Sequence, residues 1–285
     1  MEITYNTKLY SLIGNPIDKS LSPIIHNNIF KNLKQNNIYL AFNINQENLK
    51  STIEGFKAMN VGGFNVTIPY KKSIIKYLDD LSTEAKIIGA INTVKNKNGK
   101  FIGYNTDGEG FLQTFYNNNI SIKDKNCLIL GAGGAAYGIG STLAMHKVKS
   151  IYIANRTLES AIKLEKNIKN IDKSIFTQIF DLNLQGLHKE NIHIIINTTN
   201  IGMYPLENMA PVELNGFSKN TIVYDIIYKP KETKLIKEAE SKGMITFNGL
   251  SMLLNQAILS QKIWSNGNLE IGHKELEEIE KKLNI

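Results

Sequence analysis

The sequence predicts an α/β protein of two domains, the second built on a doubly wound parallel sheet. Short apolar runs alternate with longer amphipathic stretches along the chain, which is the pattern of βαβ units. The chain has 285 residues, a comfortable length for two domains. After about residue 125 each predicted strand is a continuous run of apolar, mostly β-branched residues. Such strands are buried on both faces, as in a doubly wound sheet.

The first domain is predicted element by element from these runs. Strands are indicated at "KLYSLIG", "IYLAFNI" and "GGFNVTI", and a hairpin is indicated around Asn96 to Gly99. Helices are indicated at "LKSTIEGFKAM", at "KKSIIKYLDDLS" and after Ser22, where a hydroxyl cap precedes Pro23 at the first helical position.

The strand "GGFNVTI" predicts two chemically different faces, because side chains alternate along a strand. Asn65 and Thr67 share the polar face, and Lys71 follows just after Pro69 ends the strand. The apolar face, expected to anchor the strand in the core, carries Phe64, Val66 and Ile68.

Polar residues also end three other segments of the first domain. Ser20 and Ser22 lie in "DKSLSP", Asn92 in "GAINT" and Asp107 in "GYNTDG". Singly, each has an ordinary explanation as a helix cap or a turn residue, and Lys71 as a solvated lysine. Together they predict a site beyond the carboxyl ends of the strands. A lysine and an aspartate there could move a proton to or from a hydroxyl of a small, polyhydroxylated, anionic molecule.

The composition limits the class of protein. Hydrophobic residues make up 42% and charged residues 21%, as in a globular protein with a full core. The net charge of +7 comes from scattered lysines, without the basic block of a nucleic-acid arm. Cys127 is the single cysteine and the five histidines lack metal-ligand spacing, so we expect neither a disulfide nor a metal. No signal peptide or membrane span is indicated, so we expect a cytoplasmic protein.

The stretch "CLILGAGGAA" has the form of a Rossmann turn. Gly131, Gly133 and Ala136 give G-x-G-x-x-A between a strand and a helix. The first glycine permits the tight turn, the second lets the backbone approach a pyrophosphate, and the small third residue permits close packing. A structural glycine turn is the alternative, but the strand–turn–helix context favours dinucleotide binding.

The end of the next strand indicates which dinucleotide. An NAD site places an acidic residue about 20 residues after the glycine turn, on the ribose 2′-hydroxyl. This chain has Asn155, Arg156 and Thr157 there, so a guanidinium is available for a 2′-phosphate and no carboxylate repels it. NADP is therefore favoured over NAD, the alternative being a surface arginine without a role.

The motifs, taken in order, resemble the shikimate dehydrogenase family. The similar stretches extend from about residue 9 to 260 and are "GNPIDKSLSPIIHN", "FNVTIPYK", "GAINT", "GYNTDG", "GAGGAA", "NRT", "INTTNIGM", "YDIIYKP" and "GLSMLLNQA". The resemblance implies NADP-dependent, reversible reduction of 3-dehydroshikimate to shikimate, a step of aromatic amino-acid biosynthesis. It implies a substrate domain of residues 1–106 with 251–285, because the C-terminal helices return to the first domain. Residues 107–250 would form the NADP-binding Rossmann domain.

The resemblance also implies a role for each matching residue. The catalytic pair would be Lys71 and Asp107, which also contact the substrate. Further substrate contacts would be Ser20, Ser22, Asn65, Thr67, Asn92, Tyr228 and Gln256. The cofactor would contact Gly131, Ala132, Gly133, Gly134, Ala135, Ala136, Asn155, Arg156, Thr157, Ile226 and Gly249. For Tyr228 and Gln256 the alternatives are a core aromatic residue and an ordinary helix residue.

Two departures from the family pattern concern the cofactor. The position three residues after Thr157, often basic in the family, is Ser160, and Glu159 precedes it. One phosphate contact is therefore expected to be missing unless Lys163 supplies it. Tyr137 stands where smaller or basic residues are common, and we expect its side chain to point outward.

Three other functions remain open at this stage. One is a relative that also oxidises quinate or prefers NAD, and another is a non-catalytic ligand sensor on the same fold. The third is a folate-linked dehydrogenase with a similar two-domain plan, which would not need "SLSP" or "GYNTDG". A homodimer is compatible with the sequence.

Overall fold

The computed structural model describes residues 3–269, 271 and 273–283. Its contacts divide the chain into two compact units. The first unit runs to Thr106 and resumes at Gln256, and the second is Asp107–Asn255. The assignment of residues 1–106 with 251–285 to substrate binding and of residues 107–250 to NADP binding stays a prediction.

The first unit is a mixed sheet with helices. Its elements are β1 (Lys8–Gly14), α1 (Ser22–Asn32), β2 (Asn37–Asn43), α2 (Leu49–Ala58), β3 (Gly63–Val66), β4 (Asp80–Leu81), α3 (Thr83–Ile88), β5 (Thr93–Lys97) and β6 (Lys100–Tyr104). The strand order is β2-β1-β3-β5-β6-β4, so β2 is an edge strand. β1 pairs in parallel with β2 and β3, whereas β5 pairs antiparallel with β3 and β6. The predicted hairpin is β5–β6, and its turn residues Asn98 and Gly99 have positive φ.

The second unit is a parallel sheet covered by helices. Its elements are α4 (Asp107–Asn117), β7 (Asn126–Leu130), α5 (Gly134–Met145), β8 (Ser150–Ala154), α6 (Leu158–Ile171), β9 (Phe176–Phe180), β10 (Ile194–Asn197), β11 (Ile222–Asp225), α7 (Lys234–Ser241) and β12 (Ile245–Phe247). Two more helices follow, α8 (Gly249–Trp264) and α9 (His273–Lys282). From Gln256 onward α8 belongs to the first unit.

The strand order of the second sheet identifies the fold. It is β12-β11-β10-β7-β8-β9, with each neighbouring pair parallel. Counted from β7, this is the 3-2-1-4-5-6 order of the Rossmann fold, with the reversal between β7 and β10. The predicted fold class is confirmed. β9 and β12 were not predicted, because both are short edge strands whose first residues, Phe176 and Ile245, are more than half exposed.

Three local predictions were wrong. The stretch after Lys71 is not an α-helix, since it forms a 3₁₀ turn at Ile75–Tyr77 and then β4. The Asp79 carboxylate accepts hydrogen bonds from Lys57 and from the Phe101 N–H, which ties this stretch to the sheet instead. Ile68 is 67% exposed, because β3 ends at Val66.

The third wrong prediction concerns the start of α1. Ser22 is its first residue, Leu21 occupies the cap position, and no side chain caps the helix. Pro23 does lie in the first turn, as expected. The Ser22 hydroxyl is therefore not occupied as a helix cap.

Candidate active site

The turn after β1 brings two predicted substrate residues beside the end of β3. A Cβ on Gly14 would lie 2.3 Å from Cγ2 of Thr67, so only glycine lets the two chain segments approach this closely. Ser20 Oγ accepts a hydrogen bond from the Ser22 N–H (3.3 Å). Ser20, Ser22 and Thr67 thus lie on adjoining turns of the first unit.

Lys71 stands on a turn that is held from both sides. The neighbouring Tyr70 is buried, and its hydroxyl donates to the Ile44 carbonyl (2.5 Å). The carbonyl of Lys71 accepts from the Ile91 N–H (2.7 Å), next to Asn92. The backbone of Lys71 is therefore fixed independently of its side chain, which is partly exposed.

Three of the predicted substrate residues belong to one hydrogen-bond network of the first unit, which we call the amide–hydroxyl network. The Asn92 amide donates to Thr106 (2.8 Å) and to Gln256 Oε1 (3.4 Å). The Asn65 amide donates to Ser260 Oγ (3.0 Å), and Ser260 in turn donates to the Gln256 carbonyl (2.9 Å). Its members are Tyr39, Asn65, Asn92, Thr93, Thr106, Gln256 and Ser260.

Asp107 is the first residue of α4 and belongs to the second unit, whereas Lys71 belongs to the first. Its carboxylate is buried. The next residue, Gly108, packs closely on α5: a Cβ there would lie 1.9 Å from Thr142 Oγ1 and 2.7 Å from the Gly138 carbonyl. The start of α4, and with it Asp107, is placed by a contact that only glycine permits.

Gly108→Ala is therefore expected to impair the protein in two ways. Overpacking should lower the free energy of unfolding by about 1–3 kcal/mol. The forced movement of α4 should displace Asp107 and lower kcat by about 10- to 100-fold, because ångström-scale misplacement of a catalytic group is costly. Thermal unfolding and initial rates check both. Gly55→Ala is the matched control, since a Cβ there meets nothing within 4 Å. Equal effects of the two substitutions would contradict the explanation.

The glycine turn fits a pyrophosphate. Gly131 has φ +105°, which other residues rarely adopt, and a Cβ there would lie 2.6 Å from Thr198 Oγ1. A Cβ on Gly133 would meet nothing within 4 Å, so this face of the turn is open. Gly133 caps α5 without a side-chain hydrogen bond, which leaves the first N–H groups of the helix to an anion. Ala136, by contrast, is fully buried.

The turn after β8 presents the predicted phosphate residues. The Asn155 amide donates to the Thr157 carbonyl (2.8 Å), which braces the turn around the exposed Arg156. No described residue forms an ion pair with Arg156. Tyr137, expected to point outward, is buried with 8% exposure, so that prediction was wrong. Burial raises its pKa.

Lys163, the candidate for the missing phosphate contact, is paired with Glu159. Its Nζ lies 2.6 Å from Glu159 Oε1, one helical turn away on α6. The hydrogen bond with Glu159 raises the pKa of Lys163 and lowers that of Glu159. The Glu159 carboxylate therefore competes with a phosphate for Lys163, and its negative charge repels the phosphate.

Glu159→Gln should shift cofactor preference toward NADP. Removing this charge releases Lys163 and removes a repulsion, so we expect the KM for NADP to fall by about two- to fivefold, with that for NAD unchanged. Steady-state kinetics with both cofactors measure the ratio. The double variant Glu159→Gln/Lys163→Met should lose the gain; if it keeps the gain, Lys163 is not the cause.

The segment after β11 carries the remaining predicted residues. Gly249 approaches the chain so closely that a Cβ would lie 1.9 Å from the Ile226 carbonyl oxygen. The Gly249 N–H donates to the Ile227 carbonyl (3.0 Å). The half-buried Tyr228 follows, and burial raises its pKa. Ile226 and Gly249 are thus neighbours, and their contact with the cofactor stays a prediction.

Asp225 holds this segment in place and was missed by the sequence reasoning. Its carboxylate accepts from Asn197 Nδ2 (3.1 Å), the Ile227 N–H (3.0 Å) and the Thr233 hydroxyl (2.7 Å). Burial raises the pKa of Asp225 to about 6, although these hydrogen bonds act to lower it. The sequence did contain a signal for this contact, because the apolar strands β10 and β11 each end in a polar residue, Asn197 and Asp225.

Asp225 should make stability depend on pH. The folded state holds the proton up to about pH 6, whereas the unfolded state releases it near 3.8. The contribution of this group to the free energy of unfolding therefore falls as pH rises from about 4 to 6, by on the order of 2–3 kcal/mol. Relative to Asp225→Asn, the wild type should be more stable at about pH 4.5 than at pH 7. Thermal unfolding across this range tests it, with the exposed Asp181→Asn as control. A pH-independent difference between wild type and Asp225→Asn would contradict it.

Two absences hold for the part of the chain that the structure describes. Among those residues there is no group of three or more His, Cys, Asp or Glu side chains placed to hold a metal ion. Across the same residues, no helix combines the length and apolar character needed to cross a membrane.

The Rossmann strand order, the open glycine turn and the arginine after β8 define a two-unit protein of the dinucleotide-binding α/β class. Two family models match the chain: shikimate dehydrogenase substrate binding domain over residues 12–94, and shikimate/quinate 5-dehydrogenase over residues 114–240. The chain belongs to the shikimate dehydrogenase family, and the resemblance seen in the motifs is confirmed.

Individual relatives are similar along nearly the whole chain. The NADP(+) shikimate dehydrogenase of Alkaliphilus oremlandii is 42% identical, over 95% of this chain and 96% of the relative. That of Methanococcus maripaludis is 46% identical, over 92% and 94%. The shikimate 5-dehydrogenase of Listeria monocytogenes, solved with shikimate and NAD, has a TM-score of 0.90 at 38% identity, covering 99% of this chain and 98% of that one.

Proposed function

We propose that this protein catalyses the reversible NADPH-dependent reduction of 3-dehydroshikimate to shikimate. The observation that carries the proposal is the amide–hydroxyl network of the first unit, which joins three residues predicted to contact the substrate. Such a set of amides and hydroxyls suits a ring that bears several hydroxyl groups. The names of the relatives, NADP(+) shikimate dehydrogenases, support the same activity.

The cofactor residues follow from the two turns of the second unit. The N–H groups from Gly131 to Ala136 would bind the pyrophosphate, and Asn155, Arg156 and Thr157 the 2′-phosphate. Ile226 and Gly249 would lie against the nicotinamide. When bound, NADPH supplies a hydride to the carbonyl carbon of the substrate.

The remaining steps belong to the chain's own side chains. Ser20 and Ser22 would donate hydrogen bonds to the substrate carboxylate. Lys71 would donate a proton to the carbonyl oxygen as it becomes an alkoxide, so that the carbon gains a hydride and the oxygen a proton. Asp107 would orient the hydroxyl that forms. The ring hydroxyls and the far side of the substrate would be contacted by Asn65, Thr67, Asn92, Tyr228 and Gln256.

Relaxed cofactor or substrate choice is the second candidate function. The Glu159–Lys163 pair weakens the case for strict NADP use, and the relative from Listeria was solved with NAD. A non-catalytic sensor is disfavoured, because both Lys71 and Asp107 are present. The proposal makes the protein a cytoplasmic enzyme that acts on a small molecule, with no nucleic-acid or membrane partner; light scattering would measure whether it is a homodimer.

The proposal is tested with purified protein and the absorbance band of NADPH. Shikimate with NADP should produce NADPH, and quinate or NAD should give a smaller signal. Comparable rates with NAD or quinate would favour the second candidate. No signal with shikimate and either cofactor would overturn the proposal.

A further inference from the structure

Thr93 is a buried member of the amide–hydroxyl network that the sequence did not single out. It is the first residue of β5 and follows Asn92 in the chain. Its register partner across the sheet is Asn65 on β3. The Thr93 side chain is fully buried, so it does not reach a ligand. Its hydroxyl thus lies between two residues predicted to contact the substrate, without contacting the substrate itself.

The two amides that flank the Thr93 hydroxyl have fixed orientations. Asn65 Nδ2 lies 3.0 Å from the Asn92 carbonyl oxygen, which can only accept. The Tyr39 hydroxyl donates to the other end of the same amide, Asn65 Oδ1 (2.8 Å). Asn92 Oδ1 accepts from the Thr106 N–H (2.8 Å), which can only donate. Towards Thr93, Asn65 therefore presents an N–H group and Asn92 presents an oxygen.

These neighbours require a group at Thr93 that both accepts and donates. Thr93 Oγ1 accepts from Asn65 Nδ2 (3.0 Å). Its own proton has two acceptors in reach, Ser260 Oγ (2.8 Å) and Asn92 Oδ1 (3.1 Å). Ser260 in turn bonds the Gln256 carbonyl (2.9 Å). With either acceptor, the chain of hydrogen bonds runs from Asn65 to a second residue predicted to contact the substrate. A hydroxyl supplies both functions from one atom.

The same distances exclude an apolar group in place of the hydroxyl. Asn65 Nδ2, Ser260 Oγ and Asn92 Oδ1 all lie between 2.8 and 3.1 Å from Thr93 Oγ1. A methyl group packs at about 3.5–4.0 Å from its neighbours, so it would push these atoms outward by about half an ångström or more. The displacement would extend to Gln256, which is bonded both to Asn92 (3.4 Å) and to Ser260.

We propose that Thr93 is a positioning residue for the three amide side chains of the first unit that are assigned to the substrate. Through its hydroxyl it holds Asn65, Asn92 and Gln256 in the arrangement that receives the ring hydroxyls. This inference rests on the proposed function, in which these three residues contact the ring. The hydroxyl carries the role and the methyl group does not, which distinguishes Thr93 from a residue that only fills the core.

Two substitutions separate the hydroxyl of Thr93 from its methyl group. Thr93→Val keeps the shape and should raise the KM for shikimate by about 5- to 50-fold, because buried donors and acceptors lose their partner. Its kcat should fall by less than about threefold, since Lys71 and Asp107 are unchanged. Thr93→Ser keeps the hydroxyl, so its KM should stay within about twofold of wild type, although loss of a buried methyl group should lower its Tm. Initial rates with saturating NADP and thermal unfolding measure these values.

Thr221→Val is the matched control. Thr221 is also fully buried, and its hydroxyl donates to the Ile192 carbonyl (2.8 Å) within the second unit. The substitution removes the same group at the same degree of burial, so it should lower the Tm and leave the KM for shikimate unchanged. The contrast separates the position of the hydroxyl from the general cost of losing a buried one.

The double variant Thr93→Val/Ser260→Ala keeps the test decisive if Thr93→Val does not fold. It removes the oxygen closest to the new methyl group, and replacing both partners of a hydrogen bond by apolar groups costs little stability. Its KM for shikimate should still be raised, because Asn65 still faces a methyl group. A KM within about twofold of wild type in the valine variants, or equal increases in Thr93→Val and Thr93→Ser, would overturn the inference. A wild type that forms no NADPH from shikimate would instead overturn the proposed function beneath it.

Discussion

Lys71→Ala should lower kcat by about 10²- to 10⁴-fold, the range expected for loss of a proton donor or a stabilising cation at a developing alkoxide. The affinity for NADPH should change little, since the residues proposed to bind the cofactor lie in the second unit. The fold should be retained, because Lys71 is fixed through its backbone carbonyl and through the buried Tyr70. The substitution therefore isolates the ammonium group.

Single-turnover rates with saturating NADPH measure the effect, and Lys72→Ala is the control. Lys72 is the adjacent, exposed lysine, so its removal changes the net charge equally. Near wild-type turnover in Lys71→Ala would refute the catalytic assignment. A loss confined to KM would make Lys71 a binding residue and not the proton donor.

The second large effect is expected at Arg156. Arg156→Gln should lower kcat/KM for NADPH by about 10- to 100-fold, because hydrogen bonds between a guanidinium and a phosphate are charge-assisted. The kcat/KM for NADH should stay the same, as NADH lacks the 2′-phosphate. Stability should be unaffected, since Arg156 is exposed on a turn braced by Asn155 and Thr157.

Lys166→Ala provides the comparison, because it removes one exposed positive charge from α6 without altering the turn. It should lower both kcat/KM values little and equally. If Lys166→Ala and Arg156→Gln reduced NADPH use to the same extent, the effect would be one of overall charge, and the 2′-phosphate would bind elsewhere.

The sequence was most informative where local chemistry determines structure. The turn at Gly131 needs a positive φ and a close approach to Thr198, so the glycine motif alone predicted it. The parallel core strands were visible because burial on both faces requires continuous apolar runs. The edge strands β9 and β12 were not, because half-exposed strands lose that pattern.

The sequence was least informative where the environment of a residue depends on contacts with residues far away in the chain. Tyr39 and Ser260 read as ordinary residues of a strand and a helix, and their hydrogen bonds with Asn65 join positions 26 and 195 residues apart. Tyr137 was expected at the surface, since only the packed structure shows that it is covered. Most residues predicted to touch ligands lie on turns or at the first turns of helices, with Asn65 on β3 and Gln256 on α8 as exceptions, and their roles stay predictions.

Two hydrogen bonds between the Asn27 side chain and the backbone of Tyr39 bear on whether copies of this protein can pair through their sheets. β2 is the edge of its sheet, and the outward N–H and C=O of an edge strand are a template for pairing with a second chain. The Asn27 amide occupies both of these groups at Tyr39, in the middle of β2, as a neighbouring strand would. The Asn27 side chain thereby interrupts the open edge at its middle, which disfavours edge-to-edge pairing of two copies.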